Sequence, residues 1–199
     1  MRQLGLMMLL FVVFSCNQKK DESIVAPPTL TPKIVVPERI VLGNDTNIFR
    51  KGNLVYYKDT LYSGFVELQS PSHILISKAG YWQGKLEGKQ EQWYENGAAK
   101  EIRYYLANKK VGIHTGWWDN GNKKFAYEFE NDLPINKHYQ WYRSGKLYSL
   151  LEYSKEGQPE GVQQLWFEDG TVKSNYVVKN NRRFGFLGAK GCEMQPKNK

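Results

Sequence analysis

The chain has 199 residues, 28 Lys+Arg against 20 Asp+Glu for a net charge of +8, 41% hydrophobic residues and only two cysteines. That length fits one domain, and the 6 Trp, 13 Tyr and 9 Phe exclude a mostly disordered chain. Two cysteines cannot frame a disulfide miniprotein, so the composition is that of a globular β-protein.

Arg2 is followed by an apolar run from Leu4 to Phe14, closed by Ser15-Cys16. A membrane span needs roughly 20 apolar residues. The run is shorter, so residues 1–15 read as a signal peptide that is removed and lies outside the fold. Val13-Phe14-Ser15-Cys16 resembles a bacterial lipobox, in which the cysteine takes a diacylglyceryl thioether and becomes the new N-terminus. That resemblance implies a protein anchored to a membrane through Cys16, with two or three acyl chains supplying stable attachment. Cys192 is then left without an intramolecular partner. Lys20-Asp21-Glu22, just beyond, fits either a surface-export tag of the kind carried by some Gram-negative lipoproteins or the solvated start of a linker. The expected location is the bacterial outer membrane, in either orientation.

Residues 16–47 read as a linker: Pro27, Pro28, Pro32 and Pro37 favour extended polyproline II, which acts as a semi-rigid spacer. Part of the apolar stretch from Ile34 to Leu42, interrupted by Pro37, is a candidate edge strand.

From residue 48 to 192 the chain repeats. Gly88, Trp93, Tyr94 and Asn96-Gly97 recur as Gly112, Trp117, Trp118 and Asn120-Gly121. They recur again as Asn136, Trp141, Tyr142 and Ser144-Gly145, and as Gly161, Trp166, Phe167 and Asp169-Gly170. The step is 24, 24 and then 25 residues, the extra one falling between Ser154 and Glu160. Gly64 and Gly185 extend the register, and Tyr57, Tyr81, Tyr105, Phe129, Tyr153 and Val178 form a parallel column. The first unit has Ser72-His73 in place of the turn, as terminal repeats often do. Residues 193–199 read as a tail.

Each unit is expected to be a β-hairpin closed by a two-residue type I′ turn at Asn-Gly, giving an all-β meander of antiparallel hairpins in an elongated twisted sheet. Such a turn pairs residue 93 with 100. One face then carries Tyr94, Trp118, Tyr142 and Phe167 with the Tyr57 column and is the expected core. The other carries Trp93, Trp117, Trp141 and Trp166 opposite Lys100, Lys124, Tyr148 and Lys173, with cation–π pairs across the strands.

On these motifs residues 50–190 resemble the MORN-repeat variant family, whose pattern is a glycine, a Trp-Tyr-x-Asn-Gly core and an aromatic before the next glycine. Arg50 to Glu67 resembles the lead-in segment of such proteins. The family includes YwqK-type antitoxins and MORN-containing lipoproteins. The resemblance implies a meander of hairpins and an interaction role, with no catalytic residues to carry over. Asn136 departs from the expected glycine, and the lipoprotein signal fits poorly with a cytoplasmic antitoxin.

No nucleophile motif or phosphate loop is present in the sequence. Glu95, Asp119 and Glu168 recur just before the turns, where acids are ordinary solvated residues. His114 and His138 share one repeat position, two strands or about 9.6 Å apart, too far to meet on a zinc ion without distortion. They read as half-buried sheet residues, and no metal or cofactor is expected. The net charge would suit nucleic acid, but an export signal argues against that partner and for an anionic glycan, a lipid headgroup or a protein. Trp93, Trp117, Trp141 and Trp166, with Lys100, Lys124 and Lys173, form the candidate interaction strip. Its plain alternative is packing of the repeat core. A non-catalytic envelope interaction module is the first reading, inhibition of a toxin the second, and a glycan-active envelope enzyme the third.

Overall fold

The computed structural model describes residues 34–188. The expected signal peptide, Cys16, most of the expected linker and Cys192 lie outside the described residues. The described chain is all-β, with strands in this order: β1 Ile40–Leu42, β2 Ile48–Lys51, β3 Leu54–Tyr57, β4 Thr60–Leu61, β5 Gly64–Gln69, β6 Leu75–Trp82, β7 Lys85–Trp93 and β8 Ala99–Leu106. The second half continues with β9 Lys109–Lys110, β10 Gly112–Trp117, β11 Lys123–Glu130, β12 Leu133–Trp141, β13 Leu147–Tyr153, β14 Pro159–Trp166, β15 Val172–Lys179 and β16 Arg182–Phe186.

Thirteen of these strands form one open sheet that runs in chain order from β5 to β16, an antiparallel meander as the repeat pattern predicts. One edge is β1, which pairs parallel with β5, Val41 facing Val66. The apolar end of the expected linker is therefore an edge strand of the sheet, beginning after Pro37. β2, β3 and β4 form a separate small sheet. Its Val55 packs with Tyr62 against Val41, Ala79 and Tyr81, and this is the one cluster of fully buried apolar side chains among the described residues. Tyr57 belongs to this small sheet, so the aromatic column of the large sheet starts at Tyr81. Tyr62 ties the cluster down, its hydroxyl reaching the carbonyls of Arg39 and Phe65 at 3.1 and 2.9 Å.

The turns at the two ends of the hairpins differ, and those at Asn-Gly are not the expected type I′. At Asn96-Gly97 only Gly97 has positive φ; the Gly97 N–H donates to the Tyr94 carbonyl at 2.9 Å and the Tyr94 N–H to that of Ala98 at 2.9 Å. That is a three-residue loop, a type I turn closed by a left-handed residue. It recurs at Gly121, Gly145 and Gly170, and in the first unit with His73 at φ 61° in the glycine's place. The type I′ turns lie at the opposite end, where Ala107-Asn108, Asn131-Asp132 and Asn180-Asn181 have both central residues at positive φ. The inserted residue converts one of these into a three-residue loop, in which the Ser154 N–H meets the Gln158 carbonyl at 2.8 Å.

A second irregularity follows each three-residue loop. Glu101 faces Gln92 as expected, yet Trp93 faces Ala99, so Lys100 is an extra residue. The same bulge makes Lys124, Tyr148 and Lys173 extra. The expected pairing of residue 93 with 100 is thus corrected: Trp93, Trp117, Trp141 and Trp166 stand opposite Ala99, Lys123, Leu147 and Val172. A bulge re-aims the side chain of its extra residue.

Candidate functional site

The large sheet has two faces. The first carries Tyr81, Tyr105, His114, Phe125, Tyr127, Phe129, His138, Gln140, Leu151, Tyr153, Gln163 and Val178, as the register fixes. The second carries the Trp column, with Trp141 stacked on Tyr139 at 5.7 Å and 16°. All four tryptophans of that column are half-buried.

The bulges split the candidate strip between these faces. Lys100 lies with Tyr94, its Nζ 5.8 Å from the ring centre. Lys124 lies over Trp118 at 4.4 Å and Lys173 over Phe167 at 5.6 Å. These lysines line the same grooves as Gln92, Phe125 and Ser174 and therefore stand on the first face. The cation–π contacts predicted for the first aromatic of each unit are made by the second. The Trp column keeps one such contact, from Lys123 to Trp141 at 5.8 Å.

The second aromatics do more than pack. The Tyr94 hydroxyl donates to the Trp117 carbonyl at 2.8 Å, Trp118 Nε1–H to that of Trp141 at 3.1 Å, and the Tyr142 hydroxyl to that of Trp166 at 2.9 Å. Each hairpin is thereby stitched to the next. Phe167 has no donor, and among the described residues no further hairpin follows it. At the opposite end Asn108 takes the Leu86 N–H on its side-chain oxygen at 2.6 Å, and Asp132 takes that of Lys110 at 2.8 Å.

The histidines belong to this scaffold. His114 is 1% exposed and His138 6%, more deeply buried than expected. Their Nε2 atoms lie 2.9 and 2.8 Å from the carbonyls of Tyr104 and Glu128 and carry the proton, since a carbonyl only accepts. The amide of Gln163 makes the same bond to Glu152, at 2.7 Å. The bond satisfies a carbonyl beside a bulge in which three residues oppose one, between Ala126 and Glu128 for His138. Burial holds both histidines below their usual pKa. Among the described residues no group of three or more His, Cys, Asp or Glu is placed to hold a metal ion.

The repeated carboxylates Glu95, Asp119 and Glu168 are exposed, Asp119 facing Arg143 across a bidentate pair with both bonds at 2.9 Å. Sequence reasoning did not single out Gln140, which lies beside Trp118 and Tyr142, or Arg103, whose guanidinium stands 5.9 Å from the Phe125 ring centre, both on the first face. Tyr148, expected opposite Trp141, is turned by the bulge against Tyr142, ring centres 5.2 Å apart. Compared with protein-family models and with curated proteins, the chain has no match.

Proposed function

We propose that the protein is a non-catalytic, lipid-anchored envelope protein whose repeat sheet is an interaction module, the role that its resemblance to MORN-repeat variants implies. The observation that carries this reading is the row of second aromatics: Tyr94, Trp118 and Tyr142 are each held by a bond to the next hairpin, and Tyr94, Trp118 and Phe167 each carry an exposed lysine. Aromatic side chains fixed in place beside cations offer broad contact area at little loss of side-chain freedom. They also offer no paired acid and base aimed at a common point, which suits holding a partner better than turning one over.

Palmitate labelling of cells, followed by protease shaving and immunodetection of residues 50–190, tests the reading. Labelled protein digested from outside supports a surface module, and labelled but protected protein supports a periplasmic one. Full-length, unlabelled protein in the cytosol overturns it and favours inhibition of a toxin.

A further inference from the structure

The interaction reading leaves the ligand open, and the first face narrows it. Between the third and fourth hairpin turns lies an open groove of about 330 Å³, a size suited to a small ligand unit. Its walls are Trp118, Tyr142 and Tyr148, with Lys124 at one side and Gln140 below. Phe125 forms the floor, lying flat across Gly116, where any Cβ would collide with the ring. Trp118 and Tyr142 cannot swing away, because each is bonded to the following hairpin. None of the groove's lining side chains is a carboxylate.

The same construction recurs along the sheet. A groove beside Tyr94 and Lys100 is lined by Gln90 and Gln92, and another beside Phe167 and Lys173 by Tyr176 and Arg183. Acids on this face are few: Glu101 is paired with Arg103 at 2.8 Å, and Glu95 stands at the edge of the Tyr94 groove. Successive units are offset by two strands, about 9.6 Å. That offset is close to the length of an extended disaccharide.

Building on the interaction-module reading, we propose that this face binds an acidic polysaccharide laid across the hairpins. Pyranose rings would rest on the second aromatics, their carboxylates or sulfates would meet Lys100, Lys124 and Lys173, and the amides of Gln90 and Gln92 would take the hydroxyls. A neutral glycan leaves the lysines without a role. An anionic bilayer would meet the lysines, but leaves half-buried rings set in grooves unused.

The test is titration of the detergent-solubilised full chain with polygalacturonate, with dextran as the uncharged control. Expected are saturable binding to the uronate polymer, dextran at least about fivefold weaker, and a similar loss in a triple K100Q, K124Q, K173Q variant, whose exposed lysines leave the fold intact. Tyr148→Ala, which removes a groove wall and no hydrogen bond, should weaken binding with an unchanged circular dichroism spectrum. Binding unaffected by either variant overturns the inference. So does preferential binding of phosphatidylglycerol vesicles or single-stranded DNA. A folded, palmitate-labelled protein that ignores polygalacturonate sinks this inference alone, whereas loss of labelling sinks the lipoprotein reading whatever the chain binds.

Discussion

The hydroxyl of Tyr94 donates a 2.8 Å hydrogen bond to the main-chain carbonyl of Trp117, one repeat further on. Strand pairing alone would join the hairpins only along their edges. This bond joins the turn end of one hairpin to the body of the next, and Trp118 and Tyr142 repeat it. Tyr94→Phe and Tyr142→Phe should each destabilise the protein by about 0.5 to 1.5 kcal/mol, the net worth of one such bond. Phe167→Tyr should change stability by less than about 0.5 kcal/mol, since among the described residues no following repeat offers a carbonyl to the new donor. Urea unfolding followed by tryptophan fluorescence measures all three, and equal losses at the three positions would refute the stitching role.

An ion pair nearby provides the contrast. Arg143 and Asp119 meet in good bidentate geometry, yet their side chains are 62% and 50% exposed. Arg143→Ala should therefore cost no more than about 0.5 kcal/mol, and that small loss should fade further in 1 M salt.

Acid should unfold this protein through its histidines. Burial lowers the pKa of both His114 and His138 in the folded state, so the unfolded chain binds more protons just below the ordinary histidine value of about 6.5. Stability is full above that value and falls as pH drops through and below it. His114 is surrounded by Tyr105 and Phe129, with Arg103 and Lys110 adding repulsion to its charged form. His138 lies among Tyr127, Phe129 and Tyr153, and only Glu128 favours its charge. His138→Gln copies Gln163, which already makes the equivalent bond. The variant should keep most of its stability at pH 7.5 and lose part of the acid slope; an unchanged slope between pH 6.5 and 5 would exclude His138 as a source.

Asn136 holds φ at 58° where the other full repeats place glycine, a conformation asparagine tolerates better than most residues. Asn136→Gly should be nearly neutral. Asn136→Ala should cost about 1 to 2 kcal/mol from the left-handed backbone. Gly121→Ala isolates the same effect, because no heavy atom lies near the new Cβ at φ 85°. Thermal melts of the three variants give the ranking.

The junction at Pro134 lacks one bond. Where Lys110 gives its N–H to Asp132, the equivalent residue one repeat later is Pro134, which has none to give, and the facing turn is the loop carrying the inserted residue. Native-state hydrogen exchange should find β14 to β16 opening at lower free energy than β10 to β13. Protection that is uniform across the junction would count against this.

The period was legible because a few residues serve the same role in the four full units: glycine or asparagine where φ is positive and tryptophan before the turn, with the one inserted residue visible as the 25-residue step. The turn type was not, since Asn-Gly serves both a type I′ turn and the left-handed closure of a longer loop. Nothing at Lys124 marks a bulge, yet that bulge moves the lysine from the tryptophan face to the other one. The stitching did leave a trace: Tyr94, Trp118 and Tyr142 carry donors and Phe167 does not. Tyr57 keeps the period by number but folds into the small sheet, because spacing says nothing about which sheet a strand joins.

Because every stitch spans one repeat and the small sheet sits over the first, touching the second at Asn108, length is a separable property of this molecule. Copying the 24-residue unit 112–135 would lengthen the sheet by about 9.6 Å and add one more stitch of the kind Trp118 makes. Duplication within the gene thus acts as a ruler, setting how far the row of grooves extends without redesigning any one of them.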